Sequence, residues 1–185
     1  MAFLEVITRC FQRPRMLAYN QESLQSQTCD DWIQTLLVDE IGRGVGWSYQ
    51  QMALYADDLE GDYIWILDDD DMCIRMTLVD ELKQIATIHN PDVIMIKMNH
   101  LTRGILPDEL VWKRKPVIAH IGVSAFVVKR ELWQRHAGAF LSADYSADFD
   151  FISSIFQEEG VGVFWHDVIA SQVQKISLGL PELVI

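Results

Sequence analysis

The chain has 185 residues, half of them apolar and 23% charged, with a formal net charge of -12. That is enough apolar material for one buried core, so a single domain over residues 1–185 is expected and a disordered chain is excluded. The acidic surplus repels phosphate backbones and excludes a general nucleic-acid binder.

Phe3 to Thr8 reads as a strand, and Pro14 suits the first turn of a helix running to about Gln27. Trp32 to Val38 is a second strand that ends at Asp39. Gly42, Gly44 and Gly46 mark a loop, and a helix is expected from about Trp47 to Asp57. Gly61-Asp62 turns the chain into a third strand, Tyr63 to Leu67, which Asp68 to Asp71 follow at once. Val79, Leu82, Ile85 and Ala86 form one apolar stripe on a helix from about Met76 to His89, and Asn90-Pro91 stops it. Val93 to Met98 is a strand, Thr102 to Pro116 a long loop, and Val123 to Val128 another strand. A short helix over Glu131 to His136, a helix from about Ala147 to Glu158 and a strand near Val161 to Trp165 complete the body. The tail from about residue 177, with Gly179 and Pro181, reads as irregular.

This alternation predicts an α/β layered domain with a mostly parallel sheet. Ligands bind beyond the carboxyl ends of such strands, and Asp39 and the Asp68–Asp71 run stand at two of those ends. Three cysteines without a CxxC exclude a disulfide framework and a zinc site, so a reducing compartment is expected. The first residues carry Glu5 inside their apolar run and lack the basic start of a signal peptide. No apolar run approaches the ~20 residues of a membrane span. The expected location is the cytoplasm, with peripheral membrane association and homo-oligomerisation left open.

Four consecutive carboxylates after a buried strand repel one another. A hard cation such as Mg2+ or Mn2+ relieves that repulsion and needs only one or two of them when phosphates complete its shell. The same ion would reconcile an acidic protein with an anionic diphosphate.

Gly61-Asp62-Tyr63-Ile64 running into Leu67-Asp68-Asp69-Asp70-Asp71 resembles the acidic segment of family 2 glycosyltransferases. Val6 to Pro14 is similar to their opening strand and loop, and Glu22 to Asp31 to the end of their first helix. Leu37-Val38-Asp39 is similar to their next strand end, Gly122 to Arg130 to a later strand ending in a basic pair, and Ala147 to Asp150 to a late acidic segment. The resemblance implies a GT-A fold: a Rossmann-like three-layer sandwich around a mostly parallel mixed sheet. It also implies metal-dependent transfer of a sugar from a UDP- or GDP-sugar to a hydroxyl of a glycan, lipid or protein. Thr8, Arg9, Arg13, Asp39 and Gln51 would then line the nucleotide pocket, with Asp68 and Asp69 facing ribose and sugar. Asp70 would hold Mn2+ or Mg2+, with His166 as an additional ligand. Asp148 would be the general base, and single displacement through it would invert the anomeric centre.

Helical spacing gathers Phe149, Ile152, Ile155 and Phe156 on one side and sets Asp148 at the edge of that arc. Asp148 can therefore face a cleft while Asp150 faces water, although a first-turn carboxylate also suits the helix dipole. His166 and His120 can equally be structural. Trp112, Trp133 and Trp165 could stack on sugars, but core packing is the plainer reading.

The sequence departs from the family between Asp39 and Gly44, where a helix and strand are missing, and at Gln50 and Gln51, one of which replaces an asparagine. Ala147 replaces an acidic residue. These departures keep an alternative open: an inactive GT-A-like domain that binds a nucleotide sugar or a protein partner. A haloacid dehalogenase-like phosphatase with Asp68 as nucleophile fits less well, because Met72 stands where Thr or Val is expected.

Overall fold

A computed structural model describes residues 2–178. Its elements in chain order are β1 (Leu4–Cys10), α1 (Pro14–Gln25), β2 (Trp32–Val38), α2 (Val45–Leu54), β3 (Tyr63–Ile66), β4 (Asp71–Cys73) and α3 (Leu78–His89). They continue with β5 (Val93–Asn99), β6 (Ile105–Leu106), β7 (Phe126–Lys129), α4 (Arg130–His136), α5 (Ala147–Ile155) and β8 (Val163–Val173). A short 3-10 turn, Lys175–Leu178, follows, and the tail around Gly179 and Pro181 lies outside the described residues.

All the strands join one sheet in the order β2-β1-β3-β7-β5-β8-β4, with β6 added on β5. The longer ladders, β1 with β2, β1 with β3 and β5 with β8, are parallel. β7 enters antiparallel between β3 and β5. The central strands β1, β3, β5 and β7 are buried on both faces because they carry apolar side chains at successive positions. Ile7, Ile64 and Ile66 face a cluster with Tyr49 and Met52 of α2, Trp133 of α4 and Phe151 of α5. Leu4, Val6, Trp65 and Leu67 face the other way, onto Leu24 of α1 and Leu78, Val79 and Leu82 of α3. The result is the expected three layers, helix on sheet on helix.

Several local expectations change. The acidic run does not lead directly to α3: Asp71 opens a short strand that pairs antiparallel with the end of β8. β8 runs on to Val173, well past Trp165, through register shifts opposite Met95, Lys97 and Met98. The polar pair His166-Asp167 lies at this irregular stretch, and its polarity reads in sequence as a strand end. The expected strand at Val123 begins as a 3-10 turn, and the ladder starts at Phe126. The buried face of α5 centres on Ala147, Phe151, Ile152 and Ile155, rotated from the arc predicted through Phe149 and Phe156.

Buried polar groups fix the turns. Glu5, fully buried on β1, accepts hydrogen bonds from Thr35 Oγ1, Tyr55 Oη and the N–H groups of Glu60 and Gly61 at 2.7–3.1 Å. That contact requires glycine at 61, since a Cβ there would stand 2.6 Å from the Glu5 backbone nitrogen. The turn so anchored delivers β3, and with it the acidic run, to the same sheet edge as the end of β1.

Candidate active site

The carboxyl ends of β1, β2 and β3 open into a cavity of about 650 Å³. Arg9 and Cys10 enter it from β1, Asp39 from the end of β2, and Asp68, Asp70 and Asp71 from beyond β3. Tyr49 of α2 and Asp148 and Phe149 of α5 close one side, and His100 and Arg103 of the β5–β6 connection close another.

Asp39 is buried and turned onto its own loop. Its carboxylate accepts the backbone N–H groups of Ile41, Gly42 and Gly44 at 3.2, 2.9 and 3.1 Å. Burial favours its protonated form, but these backbone donors outweigh it and hold its pKa below the usual carboxylate range. Gly42 and Gly44 both have positive φ, which lets so short a loop wrap one side chain.

The acidic run is clamped from two sides. Asn20 of α1 donates its amide to the carbonyls of Asp68 and Asp71 at 2.9 and 3.0 Å. The Gln174 side chain donates to the Asp69 carbonyl at 3.0 Å, and its backbone N–H to the Asp70 carbonyl at 2.7 Å. With the backbone held this way, one side chain of the run parts from the other three. Asp68, Asp70 and Asp71 line the cavity, whereas Asp69 is fully buried against Arg13 and the Phe11 N–H.

Two arginines offset the run. Arg9 binds Asp68 through Nε at 2.6 Å and Nη2 at 2.5 Å, and its guanidinium lies 4.6 Å from the Tyr49 ring centre. Its Nη1 is buried with no hydrogen-bond partner. Arg13 reaches Asp69 at 2.5 Å and Asp70 at 2.7 Å. Burial still dominates the aspartates. It lifts Asp69 to about 6 against the pull of Arg13, and Asp70 and the fully enclosed Asp71 also sit above the usual range, with neighbouring carboxylates adding to the effect.

Asp148 stands in the first turn of α5. One of its oxygens accepts the Phe149 N–H at 2.9 Å. Burial raises its pKa, opposed by Arg9 and reinforced by Asp68. The late helix and the acidic strand ends therefore meet in one electrostatic neighbourhood.

No protein-family model and no curated protein sequence matches the chain. Solved structures do. S. aureus TarS 1-349 in complex with UDP superposes with a TM-score of 0.71 at 12% identity, over 94% of this chain and 60% of that one. The mannosyltransferase PcManGT from Pyrobaculum calidifontis, in complex with GDP-Man and Mn2+, gives a TM-score of 0.60 at 13% identity, over 91% of this chain and 56% of that one. A197 from STIV gives 0.55 at 16% identity and is covered over 82% of its own length. The fold is GT-A. The chain spans about six-tenths of the TarS fragment, at identities that carry the fold alone.

Within this GT-A frame Arg9, Arg13, Asp39, Asp68, Asp70 and Asp148 meet at the cavity. Four expected residues lie elsewhere. Thr8 alternates away from Arg9 on β1, is fully buried, and accepts a 2.8 Å bond from Gln34, which also serves Asn20. Gln51 is absent from the cavity wall, where Tyr49 stands in its place. Asp69 is turned inward. His166 bonds Glu81 of α3 at 2.7 Å, outside the cavity wall, because the irregular stretch of β8 turns it toward that helix. Glu81 is held at about 2: burial opposes this, and hydrogen bonds from Arg75, Thr77 and His166 prevail. His120 pairs with Asp108 at 2.5 Å. Trp133 is core, and Trp165 packs edge-on to Trp112 at 5.0 Å.

Asp71, Tyr49, His100 and Arg103 are cavity residues that sequence reasoning did not select. Asp71 had a signal, its place in the run. The others had none, since an aromatic in a helix and a His-Arg pair in a loop are unremarkable in sequence.

Among the described residues no three His, Cys, Asp or Glu side chains form a ready-made metal cage. The donor set nonetheless fits a hard cation held by one or two carboxylates. Asp70 and Asp71 line the cavity, and the repulsion from neighbouring carboxylates that adds to burial in raising their pKa values would be relieved by a cation.

Proposed function

We propose that this chain transfers a sugar from a UDP- or GDP-sugar to an acceptor hydroxyl, in the manner of family 2 glycosyltransferases. One observation carries the reading: strand-end aspartates and the α5 carboxylate, distant in sequence, line a single cavity with Arg9 between them. The UDP in the TarS complex and the GDP-Man and Mn2+ in the PcManGT complex support a nucleotide-sugar donor on this fold.

Mn2+ or Mg2+, held by Asp70 with Asp71 beside it, would supply positive charge opposite the departing diphosphate. The chain's own residues do the rest. Arg9 fixes Asp68 in one orientation by two parallel bonds and carries positive charge into the cavity wall. Asp148, when ionised, accepts the proton of the acceptor hydroxyl. Attack from that side, opposite the leaving diphosphate, inverts the anomeric centre. Phe149 and Tyr49 keep that wall apolar, which strengthens each charge interaction inside.

One feature favours a second reading, a domain that binds without turnover. The Asp39 carboxylate is already engaged by its own shortened loop. The dehalogenase-like reading loses its basis, because Asp68 is locked by Arg9 and ends the third strand, not the first.

A thermal-shift screen of UDP- and GDP-sugars, with and without Mn2+ or Mg2+, tests the proposal. A donor at 100 times its Kd stabilises by about 2.7 kcal/mol, a shift of about 5–11 °C for a chain of this size. Asp70→Ala should remove the metal-dependent part. No shift with any nucleotide sugar sinks the reading. A shift without transfer or hydrolysis selects the binding-only domain.

A further inference from the structure

The two arginines at the acidic run are held in different ways. Arg9 spends both of its engaged nitrogens on one carboxylate, stacks on Tyr49, and its side chain is 11% exposed. Arg13 divides its guanidinium between two carboxylates of opposite character and is 39% exposed. Its inner partner, Asp69, is wholly buried and is further held by the Phe11 N–H. Its outer partner, Asp70, is 29% exposed and faces the cavity. Pro14 opens α1 directly after Arg13, so the backbone that carries this side chain is tied to the helix start. The Asp69 bonds therefore act as an anchor, and the Asp70 bond is the one a ligand in the cavity can displace.

A divalent ion at Asp70 and the Arg13 guanidinium at Asp70 are competitors, since each is a cation seeking the same carboxylate. A nucleoside diphosphate removes the competition, because its oxygens can accept the displaced nitrogen and complete the ion's shell together. Resting on the sugar-transfer reading above, we propose that Arg13 is an internal counter-ion. It holds Asp70 until a divalent ion and a nucleoside diphosphate arrive together, and then moves its outer nitrogen from Asp70 to the diphosphate while Asp69 retains the rest. Arg13 is thus a positioning residue that makes metal binding conditional on the donor and keeps the bare acidic run from collecting cations.

Free Mn2+ can be measured by electron paramagnetic resonance, in titrations of the intact chain with and without UDP or GDP. In the unaltered protein, Mn2+ alone should bind weakly, and the nucleoside diphosphate should tighten it at least tenfold. Arg13→Gln should bind Mn2+ alone at least tenfold more tightly, and the gain from the nucleotide should shrink. Arg13→Lys, which keeps the charge and guards against a folding defect in the glutamine variant, should restore weak binding of Mn2+ alone. Equal Mn2+ affinities in all three proteins, with the nucleotide effect intact, overturn the counter-ion role and leave the sugar-transfer reading standing. Absence of both Mn2+ and nucleotide binding from the unaltered protein overturns the two together.

Discussion

Asp39 and the Asp68–Asp71 run end neighbouring parts of one sheet, face one cavity and have opposite electrostatics. Asp39 has backbone donors from its own loop and is held below the usual carboxylate range. The run has four carboxylates against two guanidinium groups, and burial lifts Asp69, Asp70 and Asp71. A carboxylate satisfied by its own backbone is an anchor. A cluster whose cationic partners are shared and displaceable is where a ligand's charge can enter.

The largest effect expected from breaking this contrast lies across the cavity. Asp148→Asn should lower the transfer rate by about 10²–10⁴-fold, the range for a lost general base, while donor-induced thermal stabilisation persists. Loss of that stabilisation as well would mean that Asp148 serves structure instead. Because burial raises the Asp148 pKa, transfer in the unaltered protein should decline on acidification before the ordinary carboxylate range is reached.

Asp39→Ala should next destabilise the chain by about 1–3 kcal/mol in denaturant titration, since it strands the N–H groups it now accepts. A cost near zero would show that the loop holds itself.

Asp69 sharpens the comparison through pH. Its native pKa of about 6 exceeds the unfolded value of 3.8, so the native state binds the extra proton between them. Its contribution to stability is therefore largest at low pH and is lost as pH rises through about 6. The melting temperature of the unaltered protein should fall relative to that of Asp69→Asn between pH 4 and pH 6. Parallel curves would place the Asp69 pKa in the ordinary range.

The smallest effect belongs to His166. Its bond to Glu81 places it outside the cavity wall, so His166→Ala should cost at most about 1 kcal/mol of stability and leave Mn2+ affinity unchanged. A tenfold weaker Mn2+ affinity would restore it to the metal site.

Much of this was legible beforehand because periodicity is local. The limits of β2 match the structure at both ends, and the apolar stripe of α3 buries Val79, Leu82 and Ile85 as spaced. Acidic residues at strand ends marked the cavity's floor. What failed was orientation. Thr8 and Arg9 are adjacent, but a strand sends successive side chains to opposite faces: Thr8 turns to Gln34 and the α1 side, and Arg9 to Tyr49 of α2. Which of the two the cavity takes depends on where α2 and α5 pack.

The sequence alone thus determined the layered α/β class, the order of its main elements and the acidic strand ends, since each is encoded in hydrophobic spacing and short-range turn chemistry. Only the tertiary structure decided that Asp69 turns inward while Asp71 turns to the cavity, that Arg9 and Arg13 divide the run, and that His166 belongs to Glu81. Those outcomes depend on contacts between residues some 50 to 90 positions apart. No local pattern carries them, because they are set by which elements the folded sheet brings side by side.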